Sequence, residues 1–197
     1  HGAVHEGSTI YPQNIALGST FNLDLAYRKA AMIAQDLHAQ GMYQVLAPCV
    51  DVVRDLRWGR VEESYGEDPF LCGLLGIQEV KGYWDNGISP MLKHYGAHGN
   101  PLSGLNLASV ECGVRDLHEI YLKPFEMIIK NTQLLAVMST YNSWNRVPNS
   151  ASNYLLTETL RNQWGFKGYV YSDWGAIEML KTLHRTAYSS ADAAVQA

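Results

Sequence analysis

The chain has 197 residues, 15 Lys plus Arg against 19 Asp plus Glu, and 47% apolar against 17% charged residues. A formal charge of −4 offers no electrostatic grip on polyanions, which excludes nucleic acid and anionic membrane surfaces as expected partners. That balance supplies a buried core and is too poor in charge for disorder, and no window reaches the roughly 18 unbroken apolar residues of a membrane helix.

The chain opens at His1-Gly2 with neither Met nor an apolar leader, and reads as starting inside a longer protein. In chain order, a first helix is predicted from about Leu23 to Gln40, with Ala26, Ala30, Ile33, Ala34 and Leu37 on one face and Gly41 as its stop. Near-continuous apolar runs at Tyr43–Val50, Ile88–Leu92, Leu134–Ser139 and Gly168–Tyr171 read as strands covered on both faces. Helices are predicted between them at Pro69–Tyr83, at Val110–Lys130 with Pro124 kinking or splitting it, and from an Asn153 cap to Gly165. The last buries Leu155, Leu156 and Leu160. This alternation predicts an α/β fold with a parallel sheet.

Each predicted strand runs into chemically capable residues: Asp51, then Lys93 and His94, then Tyr141 and Asn142, then Asp173. Carboxyl ends of parallel strands form the active-site rim of barrels and doubly wound sheets. No Gly-x-Gly-x-x-Gly follows any strand, so a (β/α)8 barrel is favoured over a dinucleotide-binding sheet. The plainer reading is that strands end in polar residues because they reach solvent.

Asp173, beside Trp174, suits a nucleophile or general base next to an aromatic that packs on a sugar face. The duller alternative is an Asp capping the next helix. Lys93 and His94 donate to hydroxyls, although a lone His is more often structural. The loop at 54–69 is dense in charge around Trp58 and reads as ion-paired, turning one arginine toward a site, with Glu62, Glu63, Glu67 and Asp68 fixing the loop. Asp51 is expected to orient a neighbouring arginine, Arg115 and Glu119 to form a surface pair, and Asn142, Trp144 and Asn145 are candidates for the pocket lining. Three cysteines without Cys-x-x-Cys spacing and seven histidines without a ligand pattern predict small core thiols, no disulfide framework and no metal.

Several segments together carry a resemblance. They are Tyr11-Pro-Gln, Leu46-Ala-Pro, Arg-Asp-x-Arg-Trp-Gly-Arg-x-Glu-Glu-Ser-Tyr-Gly-Glu-Asp-Pro at 54–69, Lys93-His94-Tyr95, Val137-Met-Ser-x-Tyr141-Asn, Trp164-Gly-Phe-x-Gly168 and Ser172-Asp173-Trp174. In this order, over the whole chain, they resemble glycoside hydrolase family 3, the β-glucosidase and β-xylosidase family. The resemblance implies a (β/α)8 barrel, incomplete in this chain, with residues 1–197 forming part of one catalytic domain whose first segment and later domains lie elsewhere. It also implies retaining hydrolysis of a terminal non-reducing β-D-glucosyl residue through a glycosyl-Asp intermediate, without cofactor.

By resemblance the nucleophile is Asp173, the sugar hydroxyls are bound by Arg60, Lys93, His94 and Tyr141 with Met138 close by, and Trp174 walls the aglycone side. Substrates would be β-linked oligosaccharides or aryl and alkyl glycosides, met outside the cytoplasm or in a periplasm, though no residue here shows a compartment. An Asp that most members carry just before His-Gly, and the acid/base residue of a later domain, are not in the chain. Alone, 197 residues would leave sheet edges open and show little or no activity.

Three alternatives stand beside this reading. A β-xylosidase is disfavoured by Trp174, where many xylosidases of the family carry Cys. A β-N-acetylglucosaminidase is echoed by His98-Gly99 but lacks the Asp-x-His of that branch. A non-catalytic carbohydrate-binding barrel would have no use for Asp173.

Overall fold

The computed structural model describes residues 6–197, so the reading attached to His1-Gly2 lies outside the described residues. In chain order the elements are α1 (Asn14–Gly18), α2 (Leu23–Ala39), β1 (Gln44–Val45), α3 (Pro69–Asp85), β2 (Ser89–Tyr95), α4 (Val114–Asp116), α5 (Lys123–Asn131), β3 (Ala136–Ser139), β4 (Ser143–Trp144), β5 (Val147–Pro148), β6 (Tyr169–Tyr171), α6 (Ala176–Thr182) and α7 (Ser190–Gln196). Leu117–Tyr121 and Tyr154–Gln163 wind as π-helix.

The four strands β1, β2, β3 and β6 form one sheet in that order, every pair parallel. Neighbours in space are neighbours in sequence, with helices in the connections and no reversal of strand order. That is the winding of a (β/α)8 barrel rather than of a doubly wound sheet, here as an arc of four strands. No described helix is long and apolar enough to cross a membrane.

The register sorts side chains by face. Val45, Leu92, Val137 and Val170 pack outward against the helical layer, where Leu75, Leu117, Phe125 and Ile128 are fully buried. Met91, Ala136 and Met138 cluster on the other, concave face, across which the Gln44 amide hydrogen-bonds the Tyr169 hydroxyl.

Local chemistry explains the helix ends. The Asn22 side chain accepts the Leu25 N–H to cap α2, and Gly41, at φ 73°, turns the chain out of it. Asp68 caps α3 through the Leu71 N–H, with Pro69 in the first turn. The predicted helix over 110–130 begins only at Val114, Val110 forming a parallel bridge with Trp144 instead, and it is split as expected, with Pro124 in the first turn of α5 after the π-helical turn.

Three expectations are corrected. Asn153 is already helical at φ −54°, ψ −40° and cannot serve as the cap; the Ser152 hydroxyl accepts the Leu155 N–H at 3.3 Å instead. Leu156 is only partly buried. The last strand is not covered on both faces: Tyr169 is 44% and Tyr171 53% exposed, because β6 ends the arc and its concave side stands open. The apolar run 43–50 keeps its pairing to β2 beyond β1, with Val50 N–H donating to Lys93 O at 2.9 Å and Lys93 N–H to Pro48 O at 3.0 Å.

Helices α2 and α3 approach closely because Gly82 has no side chain: a Cβ there would lie 2.4 Å from Tyr27 O and 2.8 Å from Ala30 Cβ. Gly82→Ala is therefore expected to lower stability by about 1–3 kcal/mol through overpacking, read as a reduced urea midpoint at unchanged slope; an unchanged midpoint would show that the helices separate freely.

Candidate active site

The carboxyl ends of the strands open on one rim, and the sequence-predicted residues gather there. The charged loop is pinned at both ends by buried aromatics. Trp58 is 2% exposed, donates its indole N–H to Asn106 Oδ1 at 2.8 Å and meets the His98 ring edge-on at 5.1 Å. The Tyr65 hydroxyl bonds the buried Glu79 carboxylate, which also pairs with Lys29 at 3.0 Å. Between these anchors Arg60 is held by both Glu63 oxygens, Nε at 2.7 Å and Nη2 at 3.0 Å, and Lys93 Nζ lies 3.6 Å from the same carboxylate. Burial pushes the Glu63 carboxyl up, but the Arg60 hydrogen bonds and the Arg60 and Lys93 charges outweigh it and hold it below its ordinary range.

Arg60 Nη2 also lies 2.9 Å from His94 Nε2. A guanidinium only donates, so Nε2 accepts and the imidazole proton sits on Nδ1. Nδ1 faces Asp51 Oδ2 at 2.7 Å. The same oxygen accepts the Cys49 thiol at 3.1 Å and the His94 backbone N–H at 3.3 Å. Burial alone would raise the Asp51 carboxyl; His94 and the Cys49 thiol, which face it as donors, overcome it and hold it at about 2. Asp51 thus orients a histidine rather than the arginine expected of it.

Asp173 is 8% exposed. Its Oδ1 accepts the Trp174 N–H at 2.7 Å, while Oδ2 is buried without a hydrogen-bond partner and lies 3.5 Å from His94 Nε2. Tyr141 faces this carboxylate; burial first, then its hydrogen bond to Asp173 and the Asp173 charge, push its hydroxyl up to about 12. Met138 lies beneath, against Met91 and Ala136. Trp174 projects from the rim at 88% exposure.

His98 adds a second fixed imidazole. Asn142 Nδ2 donates to Ala97 O at 2.6 Å, leaving its Oδ1 to accept from His98 Nδ1 at 3.0 Å. His98 Nε2 is therefore a bare, buried acceptor without a partner, and burial brings this ring down to about 4. Asn142 is wholly buried in that role. Trp144 stacks on Tyr154 and Asn145 clasps the Cys112 backbone, so neither joins the group around Asp173. Arg115 and Glu119 meet at 3.1 Å on the surface.

Cys49, Asp51 and His94 bring ligand atoms within 4.8 Å of one another. Burial and the Asp51 charge push the Cys49 thiol well up, so it stays a protonated donor to Asp51, whereas a metal needs the thiolate. The donor set fits a hydrogen-bond chain better than an ion. Sequence reasoning missed the part of Cys49 in it; the spacing of two from Asp51 along an extended segment, which puts both on one face, was the available signal.

The model of the glycosyl hydrolase family 3 N-terminal domain matches residues 1–197. The chain belongs to this family. Among family relatives, β-glucosidase B of Emericella nidulans is 39% identical over 88% of the chain and 21% of its own length. A β-xylosidase of Formosa agariphila is 33% identical over 95% of the chain and 27% of its own length. The solved structure of a β-glucosidase from Erythrobacter marinus superposes with a TM-score of 0.97 at 31% identity, covering 100% of this chain and 27% of that one. The chain thus spans about a quarter of the length of the family proteins it matches.

A carboxyl held at about 2 rather than the ordinary 3.8 contributes about 2 kcal/mol of stability at neutral pH. The contribution is complete above the unfolded value and is lost as the pH falls through the folded one. Urea unfolding is expected to show wild type exceeding Asp51→Asn by a margin that is constant from about pH 7 to 5 and shrinks below about pH 4. A margin that persists undiminished at about pH 3 would show that the ionised carboxylate is not its source.

Proposed function

We propose that the protein is a retaining glycosidase that releases terminal non-reducing β-D-glucosyl residues, with Asp173 as its nucleophile. The observation that carries this reading is the buried, unpartnered Oδ2 of Asp173, whose other oxygen is anchored by a backbone N–H. A lone pair is held ready at a rim that also presents Arg60, Lys93, His94 and Tyr141 for sugar hydroxyls.

In the first step Oδ2 bonds to the anomeric carbon as the carbon–oxygen bond to the aglycone breaks, and the departing oxygen takes a proton from a general acid. In the second, water attacks the same carbon, gives its proton to the base left by the first step, and frees the carboxylate. Asp51, at about 2, and Glu63, held low by Arg60, are engaged as acceptors and do not serve as that acid. We assign it to a group beyond residues 6–197, and residues 1–197 to part of one (β/α)8 catalytic domain that the rest of the protein completes.

The glucosyl preference rests on the relatives bearing the β-glucosidase name; the β-xylosidase relative supports pentoside cleavage as the second reading. Both are tested on the full-length protein with 2-deoxy-2-fluoro β-glucosyl and β-xylosyl fluorides followed by peptide mass spectrometry. A fluoroglucosyl adduct on the peptide containing Asp173, formed faster than the fluoroxylosyl one, is the expected result. The reverse order supports the xylosidase. An adduct on another carboxylate removes Asp173 from its role, and no adduct from folded protein favours a binding module. Asp173→Ala is expected to lower hydrolysis on the order of 10⁴-fold while retaining sugar binding.

A further inference from the structure

We propose that Asp51 is a positioning residue that holds His94 in its Nδ1–H tautomer, and that this tautomer keeps His94 from donating a hydrogen bond to the Oδ2 of Asp173. The inference rests on Asp173 being the nucleophile, and concerns what prepares it.

His94 Nε2 stands 3.5 Å from Asp173 Oδ2, a separation that a small ring movement would close to a hydrogen bond. If Nε2 carried the proton, it would donate to that carboxylate. A charge-assisted hydrogen bond would occupy the lone pair that has to attack and stabilise the carboxylate against reacting. Two contacts on opposite edges of the ring forbid this state. At Nδ1, Asp51 Oδ2 is an acceptor at 2.7 Å, already receiving the Cys49 thiol and the His94 N–H, so it needs a donor opposite it. At Nε2, Arg60 donates from 2.9 Å, and a second donor facing it would be repelled. Arg60 cannot drift away, because Glu63 grips it with both oxygens. The chain Cys49–Asp51–His94–Arg60–Glu63 has every proton directed, and none of them is directed across the gap between His94 and Asp173.

A pair of variants of equal shape separates this role from packing. Asp51→Asn keeps a carbonyl oxygen where Oδ2 lies; Asp51→Leu fills the same space without an acceptor. Neutron diffraction of the full-length protein is expected to place the His94 deuteron on Nδ1 in wild type and Asp51→Asn, and on Nε2 in Asp51→Leu. The rate of fluoroglucosyl trapping on Asp173 is expected to fall about tenfold to a hundredfold in Asp51→Leu, the loss seen when the partner orienting a metal-bound histidine is removed, and to stay within a few-fold in Asp51→Asn.

A wild-type deuteron on Nε2 overturns the proposal outright, whether or not the leucine variant folds. Equal trapping rates in folded Asn and Leu variants overturn it as well. If instead wild type forms its adduct on a different carboxylate, the assignment of the nucleophile fails, a result that the tautomer measurement leaves distinguishable.

Discussion

Parallel pairing is the constraint on which the molecule depends. Because β1, β2, β3 and β6 all run the same way, their carboxyl ends must open on a single rim, and whatever chemistry each strand carries past its last paired residue must meet the others there. The hydrogen bonds that continue from 43 to 50 along β2 set Asp51 against His94, and the pairing of β3 with β6 sets Tyr141 and Asp173 beside them. Residues 122 positions apart in the chain, Asp51 and Asp173, thereby touch opposite sides of one imidazole.

The buried carboxylates around the rim are held by donors on at least one oxygen. Asp51 receives three donors, Glu63 receives Arg60 in a two-point grip with Lys93 near it, and Glu79, away from the rim, receives Lys29 and Tyr65. Buried carboxylates are costly unless so satisfied. Three buried rim atoms nevertheless stay without a hydrogen-bond partner, Asp51 Oδ1, His98 Nε2 and Asp173 Oδ2, and unmet bonding of this kind in a largely satisfied network is where functional positions are sought. The helical layer supplies the rigidity, with α2 and α3 drawn together at Gly82 and α3 and α5 closing over the outward face of the sheet.

Much of this was legible in the chain. The apolar runs and intervening helical patterns sufficed for the parallel sheet, since their periodicity is a local property of burial. The caps at Asn22 and Asp68 are local hydrogen bonds between near neighbours; Asn153 misled because Ser152, one residue earlier, offers the same chemistry and the backbone decides between them. Strand-end polarity picked out Lys93, His94, Tyr141 and Asp173. It could not tell that Asp51 serves a histidine instead of an arginine, nor that Cys49 belongs to the same chain of protons, because those partners come from other strands. The exposure of Tyr169 and Tyr171 was equally hidden: an apolar strand looks the same in sequence whether the next layer is present or not.

By itself, then, the sequence determined family membership, fold class and the list of chemically capable residues, because each depends on residue type and spacing along one segment. Only the tertiary structure decided their relations: which oxygen of Asp173 is left bare, which nitrogen of His94 bears the proton, and why Glu63 matters to Arg60 and Lys93 at once. Hydrogen-bond direction depends on angstrom-scale distances between distant segments, and such distances exist only once the strands have paired.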